Sequence, residues 1–212
     1  MTDKDAFVLA NTVAVAPPLV PEITLRLAAE VVPLWQKTEE ELAELGVPPP
    51  YWAFAWAGGQ ALARYILDCP EIAAGKQVLD IGSGSGLVAI AAARAGATSV
   101  LAADIDAFAL AAIAINARTN DVRLDITGAD LIGGPAGFDL ILVGDLFYER
   151  PLAARLLAWL TPLSMPVLMG DPGRSYFPKA GVEKRAGYKV QTTRDLEDRE
   201  ICDTGVYALA RD

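Results

Sequence analysis

VLDIGSGSG, residues 78 to 86, decides the fold. An apolar run carrying Asp80 ends abruptly in three alternating glycines, Gly82, Gly84 and Gly86, and the residues from Leu87 onward are small and apolar. That order reads as a buried strand, a loop that lets backbone approach a ligand closely, and a helix. The free N–H groups and positive dipole end of that helix point at the loop. Two frames compete for the glycines. The dinucleotide fingerprint GxGxxG takes Gly82 and Gly84 but meets Leu87 where a third small residue belongs, a poor fit. The frame DxGxGxG takes Asp80, Gly82, Gly84 and Gly86 without a gap.

Outward from this loop the pattern is regular. Helices are predicted over 59–67, 87–95, 107–119 and 150–160, and strands over 76–81, 99–103, 122–126, 139–143 and 166–169. Short apolar strands alternating with helical segments predict a parallel sheet covered on both faces. The chain then changes character. Residues 188–193 and 201–210 are strand-like with only the charged turn 194–200 between them, which predicts a terminal antiparallel hairpin. The fold class expected is therefore α/β, a doubly wound, mostly parallel seven-stranded sheet ending in that hairpin. Residues 1–59 carry Pro17, Pro18, Pro21, Pro33 and Pro48 to Pro50, with helices expected over 22–32 and 37–45. Trp35, Tyr51, Trp52, Phe54 and Trp56 gather there too, so this part is expected to be a helical, Pro-rich cap on a 60–212 core domain. Trp52 and Phe54 are expected to pack the cap, and Asp106 to cap the helix that follows it.

Composition removes several chemistries. The chain has no histidine, so Ser-His-Asp and Cys-His nucleophile systems and His-containing zinc sites are excluded. Cys69 and Cys202 stand alone, in no CxxC pair, which indicates neither a disulfide framework nor a thiolate metal site. With 18 Lys and Arg against 27 Asp and Glu, a net charge of −9, the surface is not built mainly for nucleic acid. No signal or transit segment and no membrane-spanning run is read from the sequence, so a cytoplasmic protein with no membrane partner is expected.

On Asp80, Gly82, Ser83, Gly84 and Gly86 the chain resembles the class I S-adenosylmethionine-dependent methyltransferases, whose first motif has this form. The resemblance implies a Rossmann-like fold and S-adenosylmethionine as cofactor, with S-adenosylhomocysteine as product and no metal. An acid ahead of the glycines suits a ligand with an ammonium and a sulfonium where a dinucleotide has a pyrophosphate. Asp104, about twenty residues beyond Gly84 with Ile105 beside it, is placed for the ribose hydroxyls. Asp130, with Leu131, stands where the family's adenine-contacting acid lies.

The segment FDLILVGDLFYERP, residues 138–151, narrows the resemblance. In this fold the fourth strand delivers its last residues, from Gly144 on, beside the transferable methyl group. Asp145, Leu146, Phe147 and Tyr148 match the DxxY signature of a group of protein lysine methyltransferases. In the same group a tryptophan followed by glycine contacts the cofactor, which Trp56 with Gly58 or Gly59 fits. Together with GDPGRSYFP, residues 170–178, these segments are similar to the electron-transfer-flavoprotein beta-subunit lysine methyltransferases, bacterial members included. The resemblance implies that Asp145 aligns the incoming lysine, that Tyr148 and Phe147 wall the amine channel, and that Glu149 adds negative charge at its mouth. Glu149 also reads as a dipole partner at a helix start, Phe147 and Tyr148 as core, and Arg174 as a surface turn or a partner for an acidic substrate group. The partner implied is the flavoprotein beta subunit, with a monomer as the working expectation. Other acceptors remain open: another protein such as a ribosomal protein, a small amine of the nicotinamide type, or a silent cofactor-binding regulator.

Overall fold

The computed structural model describes residues 3–28, 49–135, 137–192, 197 and 200–210. Its centre is a seven-stranded sheet in the order β5-β4-β3-β6-β7-β9-β8, with β3 Gln77–Ile81, β4 Ser99–Ala103, β5 Asp125–Thr127, β6 Leu140–Gly144, β7 Val167–Asp171, β8 Val182–Gln191 and β9 Ile201–Leu209. The strands from β5 to β7 are parallel, whereas β9 is antiparallel to both β7 and β8. The chain builds β3, β4 and β5 outward and then returns to place β6 on the other side of β3. This reversal leaves a crevice at the carboxyl ends of β3, β4 and β6, where sheets of this kind bind ligands.

Alternation along each central strand explains why the sheet is covered twice. Leu140, Leu142 and Leu168 join one core with Leu62 and Ile66 of α2 (Ala57–Asp68) and Ile90 of α3 (Leu87–Arg94). Ile141, Val143 and Met169 face the other core, with Leu156 and Leu160 of α5 (Arg150–Leu160). Strands buried on both faces read as continuous apolar runs, as β6 does. The remaining core helix, α4 (Ala107–Thr119), is capped by Asp106, whose side chain accepts from the Phe108 N–H at 2.8 Å as expected. None of the described helices is long and apolar enough to cross a membrane.

The N-terminal part departs from expectation. Its described pieces are a helix, α1 (Asp3–Asn11), and a two-stranded antiparallel ribbon of β1 (Val13–Val15) and β2 (Leu25–Leu27). The helix predicted from residue 22 is replaced by this strand because α4 supplies its backbone with partners. The Thr24 and Arg26 N–H groups donate to the side-chain oxygens of Asn120, which caps the end of α4, and Asn116, one turn before it, at 3.0 and 2.7 Å. Tertiary hydrogen bonds here override local propensity. Residues 29–32 of that prediction, the helix predicted over 37–45, and Trp35 lie outside the described residues. Trp52 packs as expected: it is 2% exposed and its ring stacks on Phe108 with centroids 6.4 Å apart. Two strand boundaries also move, since β5 runs Asp125–Thr127 and β8 starts at Val182, well before Tyr188.

Candidate active site

The cofactor side of the crevice is built from backbone. Gly82 and Gly84 have φ of +63° and +54°, a region where a side chain is strained, and a Cβ on Gly82 would collide with Leu146. Asp80, at the end of β3, is buried and accepts from the Ser83 hydroxyl at 2.6 Å and the Ala89 N–H at 3.1 Å. Burial pushes its carboxyl up to about 7, against the pull of those two bonds. At the end of β4, Asp104 accepts from the Gly84 N–H at 2.8 Å and the Asp106 N–H at 3.0 Å, so one carboxylate ties the two loops together. Burial raises its pKa as well. Beside it Ile105 is 75% exposed, an apolar side chain of the kind a flat base covers.

Two further observations bear on a ligand here. The Trp52 indole N–H is buried without a partner, and Trp52 Cα lies 3.8 Å from where a Gly84 Cβ would stand. An orphaned donor, an open glycine loop and a carboxylate at the second strand's end fit a ribose-bearing cofactor. Asp130 is placed differently from the other two acids. It lies beyond β5, exposed, with its carboxylate bonded to Arg155 at 2.6 Å, and that bond holds its pKa down. Leu131 next to it packs against the α5-side core.

The lip expected to receive the acceptor is built from side chains brought over long distances. Asp145 follows β6 with φ +61°, unusual for a residue with a Cβ, and its N–H donates to the Gly170 carbonyl at 2.9 Å. Its side chain, 3% exposed, accepts from the Gly58 N–H at 2.7 Å on Oδ2 and from Arg174 Nε at 2.6 Å on Oδ1. Arg174 in turn grips Glu197 with both terminal nitrogens, Nη1 to Oε2 at 2.8 Å and Nη2 to Oε1 at 2.9 Å. Glu197 Oε1 also accepts from the Ala57 N–H at 3.4 Å, at the start of α2. The guanidinium lies 5.7 Å from the Trp56 ring centroid. Burial pulls the Arg174 pKa down, but Asp145 and Glu197 outweigh it and the net shift is upward. Glu197 is raised by burial despite Arg174. Asp171, at the end of β7, accepts the Gly173 and Arg174 N–H groups at 2.7 Å on Oδ1, while its buried Oδ2 has no partner. Burial brings its carboxyl up to about 6.

Glycines make this lip possible. A Cβ on Gly58 or on Gly170 would run into the carbonyl oxygen of the other, so α2 sits directly on β7 backbone. Gly144 is close on one side only, its Cβ falling 3.2 Å from Gly59 Cα, whereas a Cβ on Gly59 would meet nothing nearer than Val88 at 4.0 Å. Gly58 and Gly144, expected from the sequence to contact the cofactor, therefore also have a packing duty.

The aromatic wall is also redistributed. Phe147 is fully buried, edge-on to Phe177 at 5.2 Å, and belongs to the core, the plainer of its two readings. Tyr148 is 38% exposed and its ring meets Tyr51, itself 38% exposed, at 5.4 Å, so the exposed aromatic pair at the lip is Tyr51 with Tyr148. The Tyr148 hydroxyl is pushed up to about 12, by burial first and then by Glu149. Glu149 is exposed at the start of α5 and makes no side-chain cap bond. Trp56 donates its indole N–H to the Tyr51 carbonyl at 2.9 Å, beside the acceptor lip. Sequence reading missed Tyr51, Asp171 and Glu197, and left Arg174 as a turn or a substrate contact. Only the charge density of 194–200 hinted at a group in that region with a task.

Comparison with known proteins agrees with this geometry. The family model described as ribosomal protein L11 methyltransferase (PrmA) matches residues 60–143. The chain is 40% identical to the electron transfer flavoprotein beta subunit lysine methyltransferase of Xenopus laevis, over 96% of this chain and 86% of that one. It is 42% identical to the protein of the same name from Danio rerio, over 86% and 72% of the two chains. Among solved structures, the magnesium protoporphyrin IX methyltransferase of Synechocystis PCC 6803 with bound SAM superposes with a TM-score of 0.54 at 15% identity, covering 72% of this chain and 79% of that one, a likeness of fold. Similarity of this extent to the vertebrate proteins, running through both the glycine loop and the acceptor lip, places the chain in the electron transfer flavoprotein beta subunit lysine methyltransferase family.

Proposed function

We propose that this protein is a lysine N-methyltransferase that moves methyl groups from S-adenosylmethionine to lysines of the electron transfer flavoprotein beta subunit. The observation that carries the reading is Asp145, a buried carboxylate with positive φ at the end of β6, beside the glycine loop and walled by Tyr148 and Tyr51. Family membership at 40% identity supports the substrate. The match to the ribosomal protein L11 methyltransferase model ends at residue 143, ahead of Asp145. It therefore lends weight to cofactor handling and none to a ribosomal acceptor.

The residues fitted to hold the cofactor are Gly82, Ser83, Gly84 and Gly86 through backbone, Asp80 and Asp104 through carboxylates, and Ile105 and Trp56 through apolar surface. Asp130 and Leu131 stand farther along the same edge. When bound, the cofactor would supply a methyl carbon activated by a positively charged sulfur, which could leave with the carbon–sulfur electron pair as an amine nitrogen takes the methyl. The chain's own contribution is alignment and exclusion of water. An ammonium has no lone pair, so the lysine must arrive at Asp145 as a neutral amine, its proton having left to solvent. Asp145 accepts an N–H of that amine, while Tyr148 and Tyr51 close the sides of the passage.

The test is transfer of a labelled methyl group from S-adenosylmethionine to purified electron transfer flavoprotein, with mass spectrometry of the labelled peptides. Label on beta-subunit lysines that disappears with Asp145→Ala supports the reading. Label only on other proteins of a cell extract keeps a methyltransferase and rejects this substrate, and no label on any protein points to a small amine or a silent binder.

A further inference from the structure

The acceptor lip contains a contradiction if Asp145 is considered alone. A buried, unpaired carboxylate beside a lysine favours the charged ammonium, because an opposite charge within about 4–6 Å raises an amine's pKa by one unit or more. That is the form that cannot be methylated. In the structure Asp145 is not alone. Its Oδ1 is bonded to Arg174 Nε at 2.6 Å, and both groups are largely removed from water, the side chains being 3% and 23% exposed.

We propose that Arg174 is a positioning residue of the acceptor site whose guanidinium offsets the Asp145 charge, so that Asp145 receives the lysine as a neutral amine through a hydrogen bond instead of trapping it as an ammonium. The inference rests on the reading of Asp145 as the acceptor-aligning group. The geometry leaves Asp145 able to do this. Each of its oxygens accepts one bond, from Arg174 or from Gly58, and a carboxylate has about four lone-pair sites. Arg174 cannot swing away freely either, since Glu197 holds both its terminal nitrogens and the Trp56 ring lies beneath it.

Other charged and titratable groups face the pair. Asp171 comes from β7, with its Oδ2 free of partners. Glu197 comes from the β8–β9 connection and Tyr148 from the β6–α5 connection, and around Tyr148 stand Glu149, Tyr51 from the turn before α2, and Asp104 after β4. The start of α2 offers only N–H groups, those of Ala57 and Gly58. Whatever the protonation of Asp171 and Glu197, removing Arg174 makes the site one charge more negative. The sign of the effect on a lysine held there is thus fixed: its proton leaves at higher pH.

The experiment is the pH dependence of kcat and KM for methyl transfer to purified electron transfer flavoprotein, from pH 6.5 to 9.5, for the unaltered enzyme, R174Q, R174K and E197Q. With R174Q the limb that rises with pH is expected to move up by about one unit, a loss of roughly tenfold in kcat near neutrality that recovers at the alkaline end. R174K keeps the charge and keeps the inflection. E197Q adds no negative charge to the site, so its inflection does not move to higher pH. An R174Q enzyme weakened equally at every pH would overturn the inference and leave Arg174 a structural residue. Should R174Q fail to fold, R174K carries the test alone, and an R174K inflection that moves up with its charge kept overturns the inference equally. Labelling of the flavoprotein by the unaltered enzyme checks the functional reading separately; label without the R174Q shift defeats this inference alone, and no label defeats both.

Discussion

The loop after β3 is tied by bonds that span 3 residues, Ser83 to Asp80, and 20 residues, Gly84 to Asp104. The lip after β6 is tied by bonds that span 29 residues, Arg174 to Asp145, 87 residues, Gly58 to Asp145, and 140 residues, Ala57 to Glu197. Both stand at the carboxyl edge of one sheet. The first region uses backbone that glycine alone allows, and its side chains hold that backbone. The second uses buried charges whose partners come from four separate stretches of chain. A cofactor common to many enzymes needs a local cradle; an acceptor particular to one substrate needs a constellation that can change one member at a time.

The comparison can be broken most severely where the two regions share a support. Gly170→Val drives a side chain into the Gly58 carbonyl, under both α2 and the lip. We expect a cost above about 4 kcal/mol, seen as loss of cooperative unfolding by circular dichroism. If the variant unfolds like the parent, the close seat of α2 is not needed. Next in size is Asp145→Ala, which should lower kcat about 10²-fold or more while the cofactor Kd measured by calorimetry stays put. A matching fall in cofactor affinity would mean that the two regions are not separable. Asp104→Ala probes the other side, releasing the Gly84 and Asp106 N–H groups; cofactor Kd should rise about 10- to 100-fold with kcat at saturation nearly retained.

The smallest effect concerns pH. Asp80 titrates at about 7 in the folded protein against an ordinary 3.8, because burial disfavours its charge. The folded state then holds a proton that the unfolded state has lost, so stability falls as pH rises from 3.8 toward about 7 and is level above that. The cofactor-free Tm should fall as pH rises through this window. Asp80→Asn, which still accepts from Ser83 and Ala89, should flatten that slope. An unchanged slope would assign it to Asp104 or Asp171, both also raised by burial.

What was legible in the sequence follows the same division. The helices over 107–119 and 150–160 and the strand over 99–103 agree residue for residue, because periodicity and caps within each segment specify them. The glycine loop was legible because its spacing is its chemistry. The ribbon at Leu25–Leu27 was not, since its partners Asn116 and Asn120 look like ordinary helix residues until the chain is folded. Phe147 and Tyr148, neighbours in sequence, go to opposite fates, one to the core and one to the lip, and adjacent residues past a strand end carry no marker of which is which. Glu197 was hidden most completely. Its partners Ala57 and Arg174 lie on either side of the sheet's central strands in sequence, and no local pattern links them.

The bond from Glu197 to Ala57 also sets an order of assembly. Residues 78–104 leave the ribosome early and carry most of what the glycine loop needs, whereas the clasp on Arg174 closes only after residue 197 has emerged. A growing chain can therefore shape its cofactor cradle while its acceptor lip is still open on one side. Domains form during synthesis as their sequence becomes available. The last acidic side chain of the lip to arrive thus closes a cluster begun more than a hundred residues earlier, at Ala57 and Gly58.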